Sequence, residues 1–327
     1  MMKSGNSSDG SPDRRLGGTD SQGRNMRIVT VAKVRGGEWF DRMEHGIREF
    51  ALDTGVDSSM TGADDISAAK QVRIIEDLIA QRPTAITVVP NSPESLEIVL
   101  KRAREAGIIV VTHEASTQRN TDIDIEAFDN AAYGAHMMDN LATFMNGRGT
   151  YVAFVGHAKA QSHVEWIQGA SERAKVYPGI QRIGDAIESY EDASVAYEQT
   201  KRLLATFPDI KGFMGTGSTD AAGIGRAVQE AGLQRQTSVV GTSIPSMVNE
   251  YLSDGSVDRI FFWDPSLAGR AQHRIALMLA SGEPIEPGVS LHIPGYENLQ
   301  PILGTPHAFR GDAWVDVDKT NASQYPF

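Results

Sequence analysis

The chain of 327 residues has no cysteine. That excludes disulfides, thiolate metal sites, iron–sulfur clusters and a cysteine nucleophile. It does not locate the protein, because cytoplasmic and exported chains alike can lack cysteine. Positive charge is also scarce: 31 Lys and Arg stand against 42 Asp and Glu, a net charge of −11. Such a balance disfavours binding to nucleic acid or to an anionic lipid surface. No run approaches the roughly 18 apolar residues of a membrane-spanning helix. The short apolar core of a secretory signal is missing from the amino terminus as given. At about 100–200 residues per domain, the length accommodates two ordinary cores.

Apolar content is nearly absent from residues 1–26, which are mostly Ser, Gly, Asp and Arg. A segment of this kind buries too little surface to offset its ordering entropy, so it reads as a disordered leader. It fits a linker behind a removed export or lipidation signal, a start assigned too early with Met26 as the real one, or an artefact.

From Arg27 the pattern changes. Ile28 to Ala32 is short, apolar and β-branched, as a buried parallel strand is. The spacing predicts helices over 39–52, 68–80 and 93–106, with strands over 85–89 and 108–112. A second series follows Gly149: strand 151–155, helix 164–176, helix 195–206, strand 212–215, helix 220–231 and strand 238–241. Strands alternating with helices of this length imply βαβ units and parallel sheets. The halves echo each other, since Glu38-Trp39 and Glu165-Trp166 each open a helix beyond a first strand, with Gly46 and Gly169 a few residues on. The expected fold class is therefore α/β, two similar doubly wound lobes of about 110 residues each. Three stretches read as crossings between them: 121–130, 260–264 and 291–295. The expected division is 27–128 plus 264–292 for the first lobe and 129–263 plus 293–327 for the second.

No complete catalytic set emerges. There is no GxxxxGK[ST] loop, no GxSxG elbow, and His113-Glu114 lacks the second histidine of HExxH. Gly215-Thr216-Gly217-Ser218-Thr219-Asp220 begins like a dinucleotide turn but lacks its third glycine. His157 and His163, six apart, share no helical face and read as unrelated loop residues. Asp122 and Asp124 alternate along an extended segment and read as its solvated face. No metal and no cofactor are expected.

In open α/β sheets ligands bind at the carboxyl ends of the strands. The loops expected there carry Lys33, Trp39 and Phe40, then His113 and Glu114, then Ser162, His163 and Trp166. Thr216, Ser218 and Thr219 follow, then Ser243, and the second crossing supplies Trp263 and Asp264. Aromatic faces combined with carboxylate, ammonium and hydroxyl groups suit a sugar, which presents C–H faces and hydroxyls that both donate and accept. Trp39, Phe40 and Trp166 equally fit helix starts packed on a sheet. Lys33 and Glu114 are harder to explain that way, because a charge directly after a buried strand must reach solvent or a partner.

These residues carry a resemblance. The chain is similar to the type I periplasmic, ribose-type sugar-binding proteins of ABC importers, within them to the branch of autoinducer-2 and rhamnose receptors. Lys33 with Trp39-Phe40 matches the family's opening. Thr112-His113-Glu114 stands at its carboxylate-bearing turn, and Asp129-Asn130 at its hinge. Gly241 to Pro245, Phe262-Trp263-Asp264, His292 to Gly295 and the ending 321–327 fit the same branch. The resemblance implies a periplasmic or extracytoplasmic monomer, lipid-anchored or free, that captures a small sugar or sugar-like polyol by cleft closure. It also implies partnership with the importer's permease subunits, and neither enzymatic activity nor nucleic-acid binding. The autoinducer receptors carry an Asp-Gln pair where this chain has Ser162-His163, Pro and Ala at Thr216 and Ser218, and Asp at Glu114. The departures point to another sugar ahead of autoinducer-2 itself. The ligand-sensing domain of a transcription regulator shares this fold, but residues 1–26 are too short and polar for a DNA-binding headpiece.

Overall fold

The computed structural model describes residues 25–327. In chain order the elements of the first half are β1 (Arg27–Ala32), α1 (Glu38–Thr54), β2 (Asp57–Gly62), α2 (Ala68–Gln81), β3 (Ala85–Val88), α3 (Pro93–Glu105), β4 (Ile109–His113) and β5 (Ile123–Glu126). Then come α4 (Asn130–Phe144), β6 (Gly149–Val155), α5 (Gln161–Ala174), β7 (Ile180–Arg182), β8 (Ile187–Glu188), α6 (Ala193–Thr206) and β9 (Ile210–Gly215). The last are α7 (Asp220–Ala231), β10 (Ser238–Thr242), α8 (Pro245–Asp254), β11 (Arg259–Phe262), α9 (Pro265–Ala280), β12 (Gln300–Pro301), β13 (Ala308–Arg310) and β14 (Val315–Val317).

The strands form two sheets, ordered β12-β13-β5-β4-β3-β1-β2 and β14-β11-β10-β9-β6-β7, with β8 also on β6. Apart from the antiparallel pairs β12–β13 and β11–β14, the ladders are parallel. Helices cover both faces of such sheets, which is why β1, β3 and β4 are nearly continuous runs of buried residues. Stripped of their edges, both sheets have the order 2-1-3-4-5, a doubly wound topology whose switch point lies between strands 1 and 3.

The repeat extends to packing. In the first lobe α1 packs on α9, and in the second α5 packs on α4. Each pair meets through glycine: a Cβ on Gly46 would overlap the carbonyl of Ser266, and one on Gly169 the carbonyl of Ala131. The helix after the fifth strand of each lobe thus belongs to the other lobe, and the two crossings at 127–129 and 263–264 carry the chain over. Each ends in an aspartate that caps the incoming helix, Asp129 accepting from Ala132 N at 2.9 Å and Asp264 from Ser266 N at 2.9 Å.

Several expectations are corrected. Met26, assigned to the leader, is buried in the core, and its carbonyl accepts from Asp57 N; residues 1–24 lie outside the described residues. The third crossing does not fall at 291–295. β12 and β13 still pair into the first sheet, so the chain changes lobe between Arg310 and Val315, and the stretch 293–310 assigned to the second lobe contributes to the first. Strands of two or three residues leave too short a pattern to read. Asp124 is not on a solvated face: it is fully buried on β5 and accepts from the Thr112 hydroxyl at 2.7 Å.

The tight approach of α4 to α5 gives a stability test. A Cβ at Gly134 on α4 would overlap the carbonyl of Trp166 on α5. Gly134→Ala is expected to destabilise the protein by about 1–3 kcal/mol through overpacking. Urea denaturation checks this, and an unchanged midpoint would contradict the close approach.

Candidate functional site

The two switch points face each other, and between them lies a cavity of about 90 Å³. Glu114 is its centre. The residue follows β4 with φ 59, a left-handed conformation that costs a non-glycine residue roughly 1–2 kcal/mol, and its carboxylate turns toward the end of β1. There Lys33, also buried, donates to Glu114 Oε2 at 2.6 Å. Asn91, after β3, holds the Lys33 carbonyl at 3.0 Å. From the opposite lobe the Ser162 hydroxyl donates to the same Oε2 at 2.9 Å, so one carboxylate ties the lobes together. Beside it Gln161 accepts from the Thr117 hydroxyl at 2.6 Å and donates to Ser116 Oγ at 2.8 Å.

The walls are aromatic. Trp39 and Phe40 of α1, Trp166 of α5 and Trp263 of the second crossing line the cavity. Trp263 meets Trp39 edge-on at 4.8 Å, Trp166 at 5.6 Å and Phe128 of the first crossing at 5.2 Å. The rings therefore form both the site wall and the packed core of the hinge. The second lobe adds His163, Thr216, Ser218, Thr219 and Glu191. Thr219 Oγ1 is buried without a protein hydrogen-bond partner.

Residues 28–284, more than half of the chain, match a periplasmic binding protein domain. The chain belongs to that family. A D-ribose/D-allose-binding protein of Pseudomonas aeruginosa is 24% identical over 251 residues, covering 71% of this chain and 75% of the relative. The ribose import binding protein of Bacillus subtilis is 23% identical, covering 77% of this chain and 81% of its own length. Among solved structures, LsrB from Clostridium saccharobutylicum in complex with AI-2 has a TM-score of 0.84 at 21% identity. It covers 92% of this chain and 100% of its own. An ABC transporter solute-binding protein from Clostridium phytofermentas with L-rhamnose has the same score at 18% identity, covering 92% and 98%. These structures share the fold of this periplasmic binding protein.

Of the residues singled out by sequence, Lys33, Trp39, Phe40, Glu114, His163, Trp166, Thr216, Ser218 and Trp263 line the cavity, and four do not. Ser162 reaches it only through Glu114. His113 is structural: its Nδ1 donates to the Ile125 carbonyl at 2.5 Å, which leaves Nε2 to accept from Trp263 Nε1 at 3.3 Å. Ser243 donates to the Ser218 carbonyl at 2.8 Å and shapes the loop behind the wall. Asp264 caps α9 and grips Arg42 of α1 through two bonds at 2.9 and 2.6 Å, outside the cavity. Its position after Trp263 in an extended crossing turns it the other way. Ser162 and His163 stand in the first turn of α5, not in a loop.

Sequence reading placed Thr219 in the same loop as Thr216 and Ser218, and it too lines the cavity; it missed Glu191, Thr242 and Met247. Glu191 follows β8, a two-residue strand too short to be legible. Tyr190 and Glu191 both have positive φ, 57 and 54. Gly156 makes room for the carboxylate, because a Cβ there would overlap Glu191 Oε1 and come within 2.8 Å of His163 Cε1.

Burial opposes the charge on Glu114, but the charge and hydrogen bond of the Lys33 ammonium, together with His113 and His163, outweigh it and hold the carboxyl down to about 2. His163 is pushed down to about 3 by burial and by Lys33. Its Nδ1 accepts from Gly156 N at 3.1 Å, so the neutral ring carries its proton on Nε2. An imidazole that is neutral when folded but protonates near 6.5 when unfolded contributes stability above that pH. The contribution is lost as pH falls from 6.5 toward 3, because the unfolded chain binds the extra proton. His163→Gln is accordingly expected to have a pH dependence of unfolding free energy shallower by about one proton across that window. Urea midpoints at several pH values measure it, and identical slopes in the two proteins would refute a buried neutral His163.

Proposed function

We propose that the protein is the extracytoplasmic binding component of an ABC importer and captures a monosaccharide or similar small polyol between its lobes. The observation that carries this is the cavity itself, enclosed by the strand ends of both lobes, walled by aromatic rings and provided with a buried ammonium, carboxylates and hydroxyls. Rings cover the C–H faces of a sugar while the polar groups meet its hydroxyls. Supporting this, the relatives above are named for ribose and allose, and similar structures hold L-rhamnose, D-arabinose, D-fucose and AI-2. Lys33, Glu114 and the second-lobe residues His163, Thr216, Ser218 and Thr219 grip the hydroxyls, and Trp39, Phe40, Trp166 and Trp263 shape the apolar faces.

Capture works by population shift. A ligand touching both lobes stabilises the closed arrangement, in which Ser162 reaches Glu114 and Gln161 reaches Ser116 and Thr117. The permease subunits then recognise the closed form, and the binding protein acts as a monomer without nucleic acid.

Thermal-shift and calorimetric titration with pentoses, deoxyhexoses, polyols and autoinducer-2 test the proposal. Since bound ligand stabilises by RT ln(1 + [L]/Kd), a cognate sugar at 100 times its Kd is expected to add about 2.7 kcal/mol. A flat response across all four classes refutes the sugar reading.

A further inference from the structure

The fixed charges of the cavity are unevenly paired. Lys33 is its cation among the described residues, and Glu114 already neutralises it at 2.6 Å. On the facing wall Glu191, with its side chain only 15% exposed, has no cationic partner: Oε2 accepts from Ser218 N at 3.2 Å, and Oε1 lies 3.7 Å from Nε2 of the neutral His163. Behind it Asp220 is fully buried, bonded through Oδ2 to Gly217 N at 2.7 Å and with no partner on Oδ1. Two consecutive left-handed residues and the missing side chain of Gly156 keep the Glu191 carboxylate where it is. A neutral sugar can donate hydroxyls to this carboxylate but leaves its buried charge uncompensated, whereas an ammonium both donates and neutralises it. Around the same space stand Trp39, Phe40 and Trp166, whose ring faces attract cations.

We infer that the preferred ligand is a monosaccharide or polyol carrying a protonated amino group, seated against Glu191 and facing the aromatic wall. The inference rests on the sugar-binding reading and narrows it. Burial pushes the Glu191 carboxyl up, with Lys33 opposing in part, and an arriving ammonium would restore the ionised form. Glu191 is then the specificity-determining residue, and the hydrogen bond it makes is charge-assisted on both sides.

Matched pairs that differ in one group test it: D-glucosamine against D-glucose, D-galactosamine against D-galactose, and D-mannosamine against D-mannose, titrated by calorimetry alongside the neutral sugars above. At least one amino sugar is expected to bind ten times or more tighter than its hydroxyl counterpart and than every neutral sugar. In Glu191→Gln the ratio within that pair is expected to fall to about one, with circular dichroism and thermal unfolding confirming the fold. A neutral sugar that binds more tightly than all the amino sugars overturns the inference and leaves the sugar reading standing. An undiminished ratio in folded Glu191→Gln overturns the role of Glu191. Binding by neither class overturns the sugar reading on which both depend.

Discussion

A buried carboxylate needs compensation, and the centre of this molecule is arranged around that need. Glu114 lies at the mouth of a parallel sheet with 6% of its side chain exposed. Left alone it would revert to the neutral acid or cost several kcal/mol. Lys33 supplies the opposite charge from the end of β1 in the same lobe, and Ser162 supplies a neutral donor from across the cleft. The left-handed backbone at Glu114 is the conformational cost of aiming the carboxylate at both. Because one of its donors belongs to the other lobe, satisfying this group and closing the cleft are the same event.

Topology makes such a meeting possible. Each sheet turns its switch point toward the other, so the loops after β1 and β4 oppose those after β6 and β9. The crossings that hold the sheets in this relation are aromatic: Phe128 stacks on Tyr133 at 4.2 Å and meets Trp263 edge-on, while Trp263 reaches both Trp39 and Trp166. The rings serve hinge and cavity at once. A ligand that rearranges them acts directly on the segments about which the lobes turn.

How much of this was legible depended on the strength of the local pattern. Long helices and buried strands were readable from periodicity, and Lys33 and Glu114 from the anomaly of a charge at the end of an apolar run. The glycine echo of Gly46 and Gly169 was visible as well, and the structure supplies its reason in two equivalent helix contacts. What escaped was set by tertiary contacts. The strands β8, β12 and β13 are held by their neighbours in the sheet, so neither Glu191 nor the late third crossing left a signal. His113 and Asp264 carry the residue types of a binding site, but their partners, Ile125 with Trp263 and Arg42, are distant in sequence and turn them to structural use.

The division between protein-satisfied and unsatisfied groups has a consequence for selectivity. Glu114 pairs across the cleft with Ser162, and Gln161 with Ser116 and Thr117, so closure has a component that owes nothing to the identity of a ligand. A ligand shifts the open–closed balance only by contacts that differ between the two states. The wall groups still without strong partners, Thr219 Oγ1 and the Glu191 carboxylate, are the ones whose pairing distinguishes one ligand from another. Discrimination on this account resides in the second lobe, while the first lobe supplies the charged pair to which any captured molecule must conform.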